Sequence, residues 1–256
     1  MTTNTKSNLS RNTYLIDETK TPFIIVEAFR NLLSNIVFSI PKKEEGKGKV
    51  VCITSTISGE GKTTIAANLA AICANAGKKT VLVDCDLRKP RIKNFFKADK
   101  PGIVAYLSGQ ADLDSVIEKN VEDKLDVIIG RKSATNPIVL LNDNALDALI
   151  AELETKYEYI ILDTPPVGVV TDATLIGPKT DGVVVITRQM YSNHKLLQGT
   201  LQQLEFAGCR LLGFVLNVTS LTQYGGKSNY DYKYGHKGYG YYDARAKQDK
   251  QDEQVK

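Results

Sequence analysis

The spacing of apolar and polar positions changes period along the chain, and each change marks a different kind of element. Pro22 opens a segment in which Phe23, Val26, Phe29, Leu33, Ile36 and Val37 recur at helical spacing as far as Pro41, which predicts an amphipathic helix. After a charged, glycine-containing connector at 42–49, short β-branched and aliphatic runs take over at 50–54, 80–84, 125–129, 159–163, 182–187 and 211–217. Such runs predict strands, and the intervals between them are long enough for crossover helices. Residues 63–76, rich in alanine and stopped by Gly77, form one expected helix, and 142–156 and 192–207 form two more. The pattern therefore predicts an α/β fold with a mostly parallel sheet covered by helices. From Leu221 the aliphatic residues thin out, and 243–256 alternate charges without an apolar face, which predicts disorder.

Composition changes this picture in a few places. At 256 residues and 42% hydrophobic, the chain can build one substantial core with appendages. A net charge of +4, with no long basic stretch interleaved with aromatics, gives no reason to expect nucleic acid as a partner. Cys52, Cys73, Cys85 and Cys209 are widely spaced and lie mostly in apolar runs, as reduced thiols of a cytoplasmic protein do. Residues 1–11 are polar and no run of eighteen apolar residues occurs, so membrane attachment is expected only through a partner. Seven of the twelve tyrosines crowd into the glycine-rich tail: Tyr224, Tyr230, Tyr232, Tyr234, Tyr239, Tyr241 and Tyr242. No aliphatic residue stands between the first and last of them to help bury the rings.

The candidate chemistry sits at strand ends. The first predicted strand runs into Thr54-Ser55-Thr56-Ile57-Ser58-Gly59-Glu60-Gly61-Lys62-Thr63-Thr64 and then a helix, which is the setting of a phosphate-binding loop. Glycines let backbone N–H groups converge on phosphate oxygens, and the helix N-terminus adds partial positive charge. Ser58, Gly59, Glu60, Gly61, Lys62, Thr63 and Thr64 are the expected nucleotide contacts, with Lys62 on the β and γ phosphates and the Thr63 hydroxyl on Mg2+. Thr56 occupies the place where the general pattern has its first glycine. Two further apolar runs end in carboxylates, one in Asp84 and Asp86, the other in Asp163, at the edge where an open parallel sheet gathers its ligands. The expected class is a P-loop NTPase with helices on both faces of the sheet. It divides into an N-terminal tail and helix at 1–45, a catalytic domain at 46–220 and a flexible tail at 221–256.

These three motifs together resemble the Walker A, Walker A′ and Walker B set of the bacterial tyrosine kinases that serve capsule and exopolysaccharide export, and the tyrosine cluster extends the likeness. Glu27-Ala28-Phe29-Arg30 resembles the start of that family's oligomerisation helix, with Leu33 where a second arginine is usual. Asn136-Pro137 followed by Leu140-Leu141 resembles its NP-x-x-LL segment, and Thr171-Asp172-Ala173 its post-Walker B turn. Ser58 stands where proline is common, and Ile57 where the related partitioning and division-site ATPases carry a signature lysine.

The resemblance implies an ATP- and Mg2+-dependent tyrosine autokinase. Lys62 would stabilise the transferring phosphoryl group, while Thr63, Asp86 and Asp163 hold Mg2+ directly or through water. Asp84 would orient or deprotonate the incoming phenol. Asn217, at the end of the last strand, would contact adenine or cap the strand. Arg88 and Lys89 would meet phosphates or a partner, or form a solvated basic turn. The implied partners are other copies of the chain, a ring among the options, a membrane-anchored polysaccharide co-polymerase adaptor that activates the kinase, and a cognate phosphotyrosine phosphatase. The adaptor would hold the protein at the inner face of the cell membrane.

Tyr234 lies thirteen residues beyond Leu221, a contour limit of roughly 45 Å, so a neighbour's site is within reach. Seven phosphates would add on the order of −10 to −14 charges to the tail and drive apart any assembly that gathers such tails. Two alternatives compete with this reading. One is a nucleotide-switched assembly ATPase whose tail is modified by another kinase, the other a chromosome-positioning ATPase.

Overall fold

The computed structural model describes residues 15–132, 136–141 and 144–217. The six expected strands appear as β1 (Lys49–Ser55), β2 (Thr80–Asp84), β4 (Leu125–Ile128), β5 (Tyr159–Asp163), β6 (Gly182–Arg188) and β7 (Leu211–Asn217). A seventh, β3 (Glu118–Glu122), escaped the sequence reading because Glu-Lys-Asn-Val-Glu carries one apolar residue and lies half-exposed. The sheet order is β3-β4-β2-β5-β1-β6-β7. Every pairing is parallel except β3 with β4.

Each inner strand buries both faces, which is why its sequence reads as a continuous apolar run. In β1, Val50 and Cys52 point into one core layer, Val51 and Ile53 into the other. β2 divides Val81 and Val83 from Leu82, and β6 divides Val183 and Val185 from Val184 and Ile186, in the same way. The second layer is closed by α1 (Phe23–Ser39), through Ile36, and by α2 (Lys62–Asn75). α2 is buried on nearly every side, and its alanines at 66, 67, 70, 71 and 74 let it lie against both the sheet and α1.

The first layer is closed by several shorter helices: α3 (Ile103–Leu107), α4 (Leu113–Val116), α5 (Pro137–Leu141), α6 (Asn144–Lys156), α7 (Asp172–Ile176) and α8 (His194–Phe206). Helices thus cover both faces of a mostly parallel sheet, as expected. α6 accounts for the helix predicted at 142–156, and α5 is an additional short helix before it. The helix predicted from 192 starts at His194, where the Asn193 side chain accepts from the Lys195 and Leu196 amides, and this leaves 189–193 as a turn. The four cysteines are free thiols, three of them buried. Among the described residues no helix is long and apolar enough to cross a membrane.

Candidate active site

Parallel strands deliver the predicted residues to one edge of the sheet. β1 ends at Ser55, and the loop to α2 turns on Gly59 and Gly61, with φ of 91° and 95°. Only a residue without Cβ fits at Gly61: a methyl there would lie 2.3 Å from Asn217 Nδ2. Lys62 and Thr63 then form the first turn of α2, with Thr64 behind them, its carbonyl accepting from Asn68 Nδ2 at 2.8 Å. β2 and β5 lie side by side in a register that makes Asp84 and Asp163 direct neighbours.

The carboxylates have different surroundings. Asp84 accepts three backbone N–H groups, from Asp86 at 3.1 Å, Arg91 at 2.9 Å and Ile92 at 3.0 Å. Its oxygens are occupied in shaping the turn that carries Asp86. Asp86 accepts from the Lys89 amide at 2.9 Å on one oxygen and from Lys62 Nζ at 3.4 Å on the other. Asp163 is fully buried, and neither of its oxygens completes a hydrogen bond. Burial pushes the pKa of both Asp84 and Asp163 upward. The charge of Asp163 adds to the shift at Asp84, whereas the nearby Lys62 ammonium pulls Asp163 part of the way back.

An orphaned buried carboxylate is costly, and it calls for a cation. The available donors are the Thr63 hydroxyl and the Asp86 and Asp163 carboxylates, all hard oxygen, which suits Mg2+. Among the described residues no group of three or more acidic, His or Cys side chains is placed to hold a metal. Mg2+ takes one or two carboxylates and completes its shell with water and phosphate.

Around the loop, residues named from the sequence meet others that belong to no motif. Glu60 is buried, its side chain accepting from the Ile57 amide at 2.8 Å and from the Ser192 hydroxyl. Asn217 Nδ2 donates to the Glu60 carbonyl at 3.0 Å, which ties the end of β7 to the phosphate loop. Arg88 makes a two-pronged pair with the buried Asp172, both bonds at 3.0 Å, and so joins the turn after β2 to the segment after β5. This fixed pair was not among the readings open for Arg88, which the sequence left between phosphates, a partner and a solvated turn. Ser192 and Arg188 belong to no motif, and only contact with the loop reveals them.

Glu27 and Arg30 lie on α1, away from this cluster, paired to each other at 2.8 Å, while Arg30 also pairs with Glu18 at 2.7 Å. The seven candidate acceptors, Tyr224, Tyr230, Tyr232, Tyr234, Tyr239, Tyr241 and Tyr242, lie outside the described residues.

A family model described as the AAA domain matches residues 48–206. The tyrosine-protein kinase CpsD of Streptococcus agalactiae is 36% identical over 209 residues, covering 80% of this chain and 89% of that protein. The chain belongs to the bacterial tyrosine-protein kinase family. A further member of this family, the tyrosine-protein kinase YwqD of Bacillus subtilis strain 168, is 31% identical over 93% of this chain and 94% of its own length. Among solved structures, the kinase domain of the Escherichia coli tyrosine kinase ETK superposes with a TM-score of 0.72 at 29% identity, covering 79% of each chain. The septum site-determining protein MinD of Pyrococcus horikoshii, complexed with Mg-ADP, superposes with a TM-score of 0.58 at 26% identity, covering 71% of this chain and 72% of that one. The chain thus shares a nucleotide-binding architecture with a wider group, while its sequence relatives carry the name of tyrosine kinases.

Proposed function

We propose that this protein is an ATP- and Mg2+-dependent tyrosine autokinase that modifies the tail cluster Tyr224–Tyr242 of a neighbouring copy and so regulates capsular or exopolysaccharide polymerisation and export. The observation that carries the site assignment is the orphaned Asp163 carboxylate, buried beside Thr63 and Lys62 at the mouth of a glycine loop. In family terms, residues 1–45 act as tail and oligomerisation helix, 46–220 as the catalytic domain and 221–256 as the acceptor segment.

The geometry supports a role for each residue. Backbone N–H groups of residues 58–63 surround the phosphates, and Lys62 exchanges Asp86 for the β and γ oxygens. Thr63, Asp86 and Asp163 would hold Mg2+, which when bound would draw charge off the β and γ phosphates. A phenol has a pKa of about 10, so alignment and charge stabilisation, more than proton removal, account for the rate. Asp84 fits that division better as a brace for the Asp86 turn than as a base, because its oxygens are already filled by three amides. Asn217 holds the phosphate loop, a position from which it can also meet the nucleotide.

Assembly fits α1, where Ile24, Glu27 and Phe38 fall on one stripe by helical spacing, with Ile24 50% and Phe38 85% exposed. Such a stripe suits a second copy. A membrane-anchored polysaccharide co-polymerase adaptor would recruit the protein to the inner face of the membrane and activate it, and a phosphotyrosine phosphatase would reset the tail. The test is incorporation of labelled γ-phosphate by the purified chain with Mg·ATP and the adaptor's cytoplasmic segment. Label on tyrosine is expected in the native chain and absent in Lys62→Met. Equal labelling of both would assign the transfer to another enzyme.

A further inference from the structure

The turn between β6 and α8 lies against the outer side of the phosphate loop, and the reaction described above gives it no task. Tyr191 Oη donates to the Ser58 carbonyl at 3.1 Å. Arg188 Nη1 donates to the Gly59 carbonyl at 3.3 Å, and its guanidinium carbon lies 5.0 Å from the centre of the Tyr191 ring. The Ser192 hydroxyl reaches the Glu60 carboxylate. One short turn therefore grips three consecutive residues of the loop. Met190, at its apex, has φ 58°, a conformation that side chains other than glycine's rarely adopt, and its side chain is 91% exposed. Tyr191 is 48% exposed. A single neutral hydrogen bond holds its hydroxyl, and such a bond contributes little net free energy in water.

We propose that Tyr191 is a phosphoacceptor outside the tail cluster, and that its modification shuts the nucleotide site of the copy that carries it. The proposal rests on the kinase reading. Because Tyr191 and Arg188 touch the loop through the Ser58 and Gly59 carbonyls, and not through the amides proposed to hold phosphate, the donor is ATP held by another copy. Tyr191 Oη forms a bond to the γ-phosphorus while the bond from that phosphorus to the β,γ-bridging oxygen breaks. ADP leaves with the electron pair, and the phenolic proton passes to solvent.

The consequence follows from hydrogen-bond chemistry. A phenol donates to the Ser58 carbonyl, whereas the oxygens of a phosphotyrosine dianion only accept, so the bond becomes a repulsion. Arg188 is near enough to turn from the Gly59 carbonyl to the new phosphate, a stronger and doubly bonded partner. Two of the three grips on the loop are then lost. A charge of about −1.5 to −2 now stands beside the seat of the triphosphate.

Two measurements test this. The full chain, mixed with a tagged Lys62→Met copy, Mg·ATP and the adaptor's cytoplasmic segment, is mapped by mass spectrometry. Phosphate on Tyr191 of the tagged copy is the expected result. Tail tyrosines filled to saturation with Tyr191 bare would overturn the proposal and leave the kinase reading intact, whereas no phosphotyrosine anywhere would remove both. Separately, phosphotyrosine is installed at 191, and in a second preparation at 234, by genetic encoding. Calorimetric Mg·ATP affinity is expected to fall about tenfold or more for the first alone. Equal affinity in both would overturn the closure.

Discussion

Asp163 shows how much of the site rests on one unsatisfied side chain. Its raised pKa means that the native state holds a proton more readily than the unfolded chain does. Stability therefore falls as pH climbs from the ordinary carboxylate value, about 4, through the raised native value, and the cost is complete above it. Asp163→Asn removes that cost at neutral pH while removing a proposed metal ligand. The metal-free variant is expected to gain on the order of 1–2 kcal/mol at pH 7.5, with the gain shrinking toward pH 4, and to lose phosphotransfer. Thermal denaturation across pH, set beside a transfer assay, checks both halves, and a variant less stable than the native chain at pH 7.5 would contradict the account. The sequence located Lys62, Asp84, Asp86 and Asp163 because strand-end motifs carry their own spacing. It did not reveal that Asp84 spends its oxygens on three amides, because those amides come from a turn whose path only the fold sets.

At the scale of elements, the pairs that join one segment to another separate structural from assembly roles. Arg88 is about one-third exposed but Asp172 is fully buried, so Arg88→Ala leaves a carboxylate without its partner. Discounted for that exposure, the expected loss is about 2–3 kcal/mol by urea denaturation, and adding Asp172→Asn should restore part of it. The Glu27–Arg30 pair on α1 lies in solvent, where such pairs contribute roughly 1 kcal/mol or less. Glu27→Ala should therefore melt within a few degrees of the native chain, while sedimentation shows the assembly weakened. A large drop in melting temperature would place Glu27 in the fold instead. Five strands were legible because parallel strands buried on both faces leave continuous apolar runs, and the edge strand β7 because its sequence is apolar although much of it is exposed. β3 was not, since an antiparallel edge strand of Glu, Lys, Asn, Val and Glu leaves no such trace, and the short α3, α4, α5 and α7 are too brief to show a helical period.

Across the whole molecule, the sheet collects three strand ends into one phosphate-binding edge, and one short turn and the end of β7 hold the loop from outside. The fold class followed from hydrophobic period together with the strand–loop–helix motif, and the candidate nucleotide site from motifs. The contacts of residues 188–192 with the loop were invisible beforehand because Tyr191 and Arg188 meet the carbonyls of residues 58 and 59, which any sequence supplies, and Ser192 meets Glu60 across 132 positions of chain. In the proposed reaction phosphate passes between copies, from this site to the tyrosines at 224–242. A tagged Lys62→Met chain, unable to modify itself, is mixed with the native chain, Mg·ATP and the adaptor segment, and its 224–242 peptide is weighed. The account predicts phosphate on several tyrosines of the tagged chain, appearing only when the native copy is present; a tail that stays unmodified while the native chain fills its own would contradict it.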